Sequence, residues 1–535
     1  MPIRKISADD LKALLAEPKE YAFLDVREHG QYGEGHPFLS VNAPYSIIET
    51  CAPLLVPCFE TLCILMDAGD GVADLVHARM VEMGYANLVV LNGGAPAWAE
   101  AGYTLFKGVN VISKSFGELV EHFCETPSIS AEDLHEMQQH NMPVMILDGR
   151  SPKEFQKMSL PGAMSCPNAE LAYRLPELLS DQNTPVVINC AGRTRSIIGA
   201  QSLRYLGLKN PVLALRNGTQ GWRLSGFDLC HGEVPQALPV LSADAEQLAN
   251  SRAEKLIAQF GLKKVTPVQL QTMLDNKLRT TFLFDVRTEE EYLKAHWAGA
   301  RHAPGGQLVQ ATDEFLGTRQ AQVVLSDDLG LRAAGTAIWL KGMGHDVFVL
   351  EADARKGDER GAEIKPSVTL TKEIPLRDVA QSILQGAQLF DASRGMAYRK
   401  AHIESAEWVN RANLTKVEDK KSPIIVIGQS TDLVYGVMQR LTELGAEDVA
   451  GCVGTPESWR DTGYQVIATP YTPTERECID FLFFVHDRHD DNLEAARQYL
   501  AWELNLLSQL DEQERSVLKP LVASELESMC HEAGN

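Results

Sequence analysis

One pattern recurs four times along the chain and limits the fold more than any single residue does. KISADDLKALL with AFLDVREHGQY, SISAEDLHEMQ with MILDGRSPKEF, KVTPVQLQTML with FLFDVRTEEEY, and EIPLRDVAQSIL with LFDASRGMAY each read alike. Each is a short strand or turn, a helix, and an apolar strand ending in aspartate: Asp25, Asp148, Asp285 and Asp391. Further along each unit comes a second apolar strand, LCILMD, PVVINC, QVVLSD or PIIVIG, and an amphipathic helix. The helices stop near Gly84, Gly207, Gly344 and Gly445, glycine being the common residue just past a helix end. NLVVLNGG, NPVLALRNG, HDVFVLEA and EDVAGCVG close the units, and Trp98, Trp222 and Trp459 follow three of them.

A repeat of this kind is sought first because it decides the architecture. Strands alternating with helices imply parallel sheets covered by helices on both faces, and apolar runs without alternation fit strands buried on both sides. The expected fold class is α/β, with four tandem domains, each a central parallel β-sheet flanked by helices, plus a C-terminal helical segment. The limits read as 1–110, 125–232, 262–356, 366–468 and 470–535, a sensible division of 535 residues. A helix from Ala245 to Phe260 separates the halves, and EADARKGDERGAEIKP reads as a polar linker between the third and fourth domains. The gap after the second domain predicts that domains one and two pack as a pair. The final segment predicts two or three helices on the last domain, starting near Thr472–Glu475 and Asp490–Glu494. His486 and His489, beside Asp487 and Asp490, read as a solvated helix edge rather than a metal site.

Charge excludes some partners. With 50 Lys+Arg against 72 Asp+Glu the chain is acidic, whereas nucleic acid or an anionic membrane demands a basic face. No apolar run is long enough to span a bilayer, and the first residues resemble no signal peptide, so a cytoplasmic location is expected. Ten cysteines without a Cys-x-x-Cys pair disfavour a zinc site or a disulfide scaffold.

Cys190 stands apart from the other nine. It lies in VVINCAGRTRSIIGAQ, between a β-branched run and a helix. At such a strand end the backbone N–H groups of the turn and the helix dipole form an anion cradle. Gly192 permits the tight turn, and Arg193 and Arg195 add positive charge, which predicts a thiolate with a lowered pKa. A cysteine phosphatase needs Cys-x5-Arg, a loop wide enough for phosphoryl, and often carries a histidine before the cysteine. Here Asn189 precedes Cys190, the spacing is Cys-x4-Arg, and Ser196 occupies the phosphatase arginine position. A tighter ring of amides suits a single extra sulfur.

This loop resembles the active-site loop of the rhodanese family of sulfurtransferases. ILDGRSPKEF, LPGAMSCP and ALRNGTQGW resemble, in order, the family's Asp-x-Arg strand end with Glu-Phe, its Pro-Gly-Ala turn and its Gly…Trp closing segment. The resemblance implies that Cys190 takes sulfur from a donor as a persulfide and passes it to cyanide or a thiol, without a cofactor or metal. The amides of Ala191, Gly192, Arg193, Thr194, Arg195 and Ser196 would hold the outer sulfur. Asp148 and Arg150 would brace the neighbouring strand end. Arg195 would face the pocket and Arg193 equally solvent; together they favour a small anionic, thiosulfate-like donor. A protein acceptor is also possible on this reading. The other three domains, with Asp67, Asp327 and Gly428 at the cysteine position, are expected to be inactive, an aspartate filling the cradle with its own carboxylate. Cys166 and Cys230, the nearest other thiols, are read as small buried residues. Two alternatives stay open: a phosphatase or arsenate-reductase-like enzyme, and a sulfur carrier that hands sulfur only to a partner protein.

Overall fold

The computed structural model describes residues 3–522 apart from 180, 364, 415, 416, 418 and 487–491. His489, Asp487 and Asp490 of the expected solvated helix edge lie outside the described residues. The four-fold repeat becomes four parallel sheets. In the second domain the strands are β1 (Ser128–Ile129), β2 (Met145–Asp148), β3 (Met164–Ser165), β4 (Val186–Asn189) and β5 (Val212–Leu215). They lie in the order β1-β5-β4-β2-β3, all parallel. The first and third domains repeat that order with five strands each; the fourth has a four-stranded sheet and a parallel bridge from Glu373 to Gly451 where a first strand would lie. Val186, Val187 and Ile188 of β4 are fully buried, so the absence of alternation reflects a central strand covered on both faces.

The helices of the second domain are α2 (Ala131–Gln139), α3 (Pro152–Lys157), α4 (Asn168–Leu178), α5 (Thr194–Tyr205) and α6 (Gly218–Leu224). Before them runs α1 (Val111–Cys124), in a stretch the sequence left unassigned between two domains. It packs directly on α5, where Gly117 allows the approach: a Cβ there would meet the Thr194 methyl at 2.8 Å. The four glycines after the second helix of each repeat, Gly84, Gly207, Gly344 and Gly445, have φ between 69° and 102°, the left-handed turn that ends a helix. The three tryptophans are buried, and Trp222 donates its indole N–H to the Asp228 carbonyl at 2.9 Å.

The chain divides into two compact units, and the division corrects the expected pairing. The first unit holds residues 1–17, 21–109 and 365–485, so the first domain goes with the fourth. Inside it, the Arg411 guanidinium grips Glu49 at 2.7 Å through both terminal nitrogens and donates to the Tyr45 carbonyl at 2.9 Å. The second unit holds 18–20, 110–364 and 486–535, so the second domain goes with the third. There Arg332, buried, binds Glu170 at 2.8 Å and Glu291 at 2.6 Å, and Tyr173 donates to Asp328 at 2.7 Å. The interdomain helix spans Ala243–Gln259, close to expectation. The expected linker after the third domain is partly strand, since Asp346–Asp353 runs into it.

The C-terminal segment also departs from expectation. Residues up to 485 stay with the unit of the fourth domain, but Leu493–Leu504 (α7), Leu506–Gln509 and Glu512–Val517 belong to the unit of the second and third. Asn492 caps α7 by accepting the Ala495 N–H at 3.0 Å. Tyr205 at the end of α5 donates to the Leu521 carbonyl at 2.7 Å, and the Lys519 N–H donates to the Gly342 carbonyl at 2.7 Å. The segment is thereby tied down on α5 and on the third domain.

Candidate active site

Cys190 follows the last residue of β4 and is 2 % exposed. Its carbonyl accepts the Thr219 N–H at 2.8 Å and the Ala191 carbonyl accepts the Gln220 N–H at 3.1 Å, which fixes the loop to the start of α6. That approach needs Gly218. Its φ is +53°, and a Cβ there would fall 2.2 Å from the Cys190 carbonyl oxygen. The Arg195 carbonyl accepts from the Asn168 side chain at 2.9 Å, so α4 holds the other end of the loop.

Ser196, at the position of the phosphatase arginine, donates its hydroxyl to Cys190 Sγ at 3.0 Å, and its backbone N–H also favours the thiolate. Arg195 supplies charge that lowers the Cys190 pKa, yet burial outweighs these effects and pushes the thiol above its ordinary value. This corrects the expected lowered pKa. Ser196 supplies a backbone N–H to the thiol, but the covered loop removes the water that would solvate a thiolate, and the charge of Glu503 adds to the cost.

Arg193 departs from the solvent-facing alternative, and Arg195 has a carboxylate partner as well as its effect on Cys190. Arg193 is buried rather than solvent-facing, with Nε on Glu118 at 2.7 Å, Nη2 on Glu118 at 2.9 Å, and a further ion pair to Glu121, both from α1. Arg195 forms a two-pronged pair with Glu154 at 2.8 and 2.7 Å. Burial pushes the Glu118 carboxyl up to about 7 against the pull of Arg193, while Arg195 holds Glu154 down to about 2 despite its burial. Asp148 and Arg150 form the expected pair, at 2.9 and 2.7 Å, with Arg150 also on the Met158 carbonyl at 2.6 Å and Asn189 on Asp148 at 2.8 Å. They tie the end of β2 to the end of β4, just before Cys190, and to the end of α3.

The loop is roofed by α7. Thr194, the first residue of α5, donates its hydroxyl to Glu503 Oε1 at 3.1 Å. Tyr499 lies 3.9 Å from the point a Cβ on Gly192 would occupy. Lys114 of α1 sits over the Trp502 ring at 4.8 Å and clamps the roof to α1. Glu118, Glu121 and Glu503 were not legible as site residues, since nothing near them in sequence resembles a motif; Glu154 lies inside the quoted SPKEF.

The corresponding loops of the other domains cannot form a persulfide at that position. In the first, Asp67 accepts the N–H groups of Gly69, Gly71 and Ala73 at 2.8, 3.0 and 3.0 Å. In the third, Asp327 accepts those of Asp328, Arg332 and Ala333 at 2.8, 2.8 and 3.3 Å, and the Arg332 guanidinium at 3.0 Å. The expected self-filling by aspartate is what the geometry shows. In the fourth, Gly428 has no side chain to offer. The nine described cysteines are free; Cys166 is buried and its thiol pushed up, and Cys230 lies in a bridge with Ser159. Among the described residues no group of acidic, histidine or cysteine side chains has the arrangement of a metal site, and no helix is long and apolar enough to cross a membrane.

The family profile described as "Rhodanese-like domain" matches residues 7–101, 130–225 and 266–356. It does not match the fourth domain, whose sheet nonetheless keeps the β5-β4-β2-β3 order. Among solved structures, a thiosulfate sulfurtransferase from Pseudomonas aeruginosa is 36 % identical, covers 98 % of this chain and 100 % of its own, and superposes with a TM-score of 0.90. A rhodanese-related protein from Thermoplasma volcanium is 27 % identical over 19 % of this chain and 97 % of its own, with a TM-score of 0.17. No curated protein matches.

Proposed function

The chain belongs to the rhodanese family, and from that premise we propose that it moves a sulfane sulfur from a thiosulfate-like donor to cyanide or a thiol through a persulfide on Cys190. One observation carries the reading. At the end of the central strand Cys190 Sγ meets the Ser196 hydroxyl at 3.0 Å, where the first and third domains present a carboxylate to the same ring of amides. The likeness to the Pseudomonas aeruginosa thiosulfate sulfurtransferase supports the donor class.

The thiolate of Cys190 attacks the outer sulfur of thiosulfate, the S–S bond of the donor breaks, and sulfite leaves with that bonding pair. The new Cys190–S–S⁻ keeps its outer sulfur in the ring of amides from Ala191 to Ser196, among them Gly192, Arg193, Thr194 and Arg195. Cyanide then attacks that sulfur, thiocyanate leaves, and Cys190 returns as thiolate. Charge balances in both halves and no cofactor enters. Arg195 favours the anionic forms of the cysteine. Free thiols throughout the described chain favour a reducing, cytoplasmic setting.

Intact-protein mass spectrometry after brief exposure to thiosulfate tests this, with Cys190→Ser as control. A gain of one sulfur atom, lost on adding cyanide and absent in Cys190→Ser, is expected. An unchanged mass with thiosulfate and with persulfide donors overturns the reading.

A further inference from the structure

Both loop arginines are paired with carboxylates, and a further carboxylate whose charge acts on Cys190 comes from the far end of the sequence. Glu503 of α7 is 2 % exposed. One of its oxygens accepts the Thr194 hydroxyl at 3.1 Å; the other, Oε2, has no hydrogen-bond partner among the described residues. That oxygen packs against the loop, 3.0 Å from the point a Cβ on Gly192 would occupy. A buried, unpartnered carboxylate oxygen beside the Cys190 loop is an expensive arrangement, and such exceptions mark sites that meet a ligand.

Taking Cys190 sulfur chemistry as the basis, we propose that Glu503 sets the charge of the donor. It makes the pocket favour a singly charged sulfane-sulfur donor over doubly charged thiosulfate. The charges around the loop give the reason. Arg193 and Arg195 supply the positive side, and Glu118, Glu121, Glu154 and Glu503 the negative side. Arg193 is paired with Glu118 and Glu121, and Arg195 with Glu154; Glu503 forms no ion pair with either, and the longer-range charge of Arg193 offsets its repulsion only in part. Its charge reaches Cys190, where it disfavours the thiolate. Each negative charge on the donor meets the same field beside residues only 2 % exposed, where a unit charge at close range matters far more than in water. Gln220 of α6 fits this picture. It is 8 % exposed, its backbone is bonded to Ala191, and both its amide atoms are unpartnered, which places a neutral polar group next to the loop.

Methanethiosulfonate, CH3SO2S⁻, carries the same transferable sulfur as thiosulfate with one charge fewer, and its leaving group is methanesulfinate. The test compares kcat/KM for the two donors, with cyanide as acceptor, in the full chain and in Glu503→Gln. The amide keeps the volume and the bond to Thr194 and removes the charge. The expected result is that the preference for methanethiosulfonate over thiosulfate falls roughly tenfold in Glu503→Gln, chiefly through a lower KM for thiosulfate. An unchanged or increased preference overturns the proposal. The ratio is read within one sample, so a partly misfolded variant does not disturb it. Sulfur loading on Cys190, followed by mass, separates the two levels of failure. If neither donor nor a persulfide donor loads the unaltered protein, the sulfurtransferase reading falls; if both load and the ratio stays fixed, only the role of Glu503 falls.

Discussion

Four aspartates end the same strand, and their partners decide what each does for stability. Asp25, Asp148 and Asp285 each meet an arginine two residues on, with Nε to Oδ1 at 2.9 Å in all three. Asp391 has Ser393 instead, which donates its backbone N–H at 2.7 Å. With no cation beside it, burial pushes the Asp391 carboxyl up to about 6. The folded fourth domain thus holds this proton to a higher pH than the unfolded chain does, so the contribution of Asp391 to stability falls as pH rises from about 4 through about 6. Asp391→Asn is expected to raise the unfolding free energy at pH 7 to 8 by up to about 3 kcal/mol and to change little at pH 4. Denaturant melts at both pH values check it, and equal effects at both would contradict it. The repeat of the aspartate was legible in the sequence, but the loss of its arginine in LFDASR was not turned into chemistry until burial was known.

At the scale of elements, sequence reading succeeded where signals are local. The three central strands of the second domain follow from apolar runs, and α3 from Ser151-Pro-Lys-Glu154, whose capping box forms as the residue types require. Cys190 at the end of β4 was likewise legible, because a strand, a glycine and a helix start are all local events. The roof was not. Glu503 lies 309 residues from Thr194, and the register that brings them together is set by tertiary packing that no local pattern announces. The same holds for α1, whose acidic side chains bind Arg193, and for α7 joining the second domain rather than the fourth. The start of α6 offers a direct check on how the elements position the nucleophile. Gly218→Ala puts a methyl 2.2 Å from the Cys190 carbonyl oxygen at a positive φ. It is expected to cost more than about 1 kcal/mol of stability and to slow sulfur loading at least tenfold, because the loop must retreat. Thermal melts and timed mass spectra measure both, and wild-type loading would show that the contact does not hold Cys190.

At the scale of the molecule, four copies of one fold hold a cysteine at the end of the central strand only in the second. The two units each join an early domain to a late one, so the order of domains along the chain does not predict which of them associate. What makes the copies different is visible in the rings of amides. Asp67 spends its carboxylate on three backbone N–H groups of its own loop, and Asp327 does the same with a guanidinium added. Each is in effect a bound anion on a two-bond leash, present at an effective concentration far above any free solute. Dissolved thiosulfate or phosphate cannot compete with it at millimolar levels. Saturation binding of a small anion to the intact chain should therefore gain nothing from the two aspartate-bearing domains; calorimetry with Cys190→Ser, which cannot turn over, is expected to find at most two anions per chain, one for each domain without the aspartate. Duplication here has multiplied the architecture further than the binding capacity, because two of the copies ship with their ligand built in.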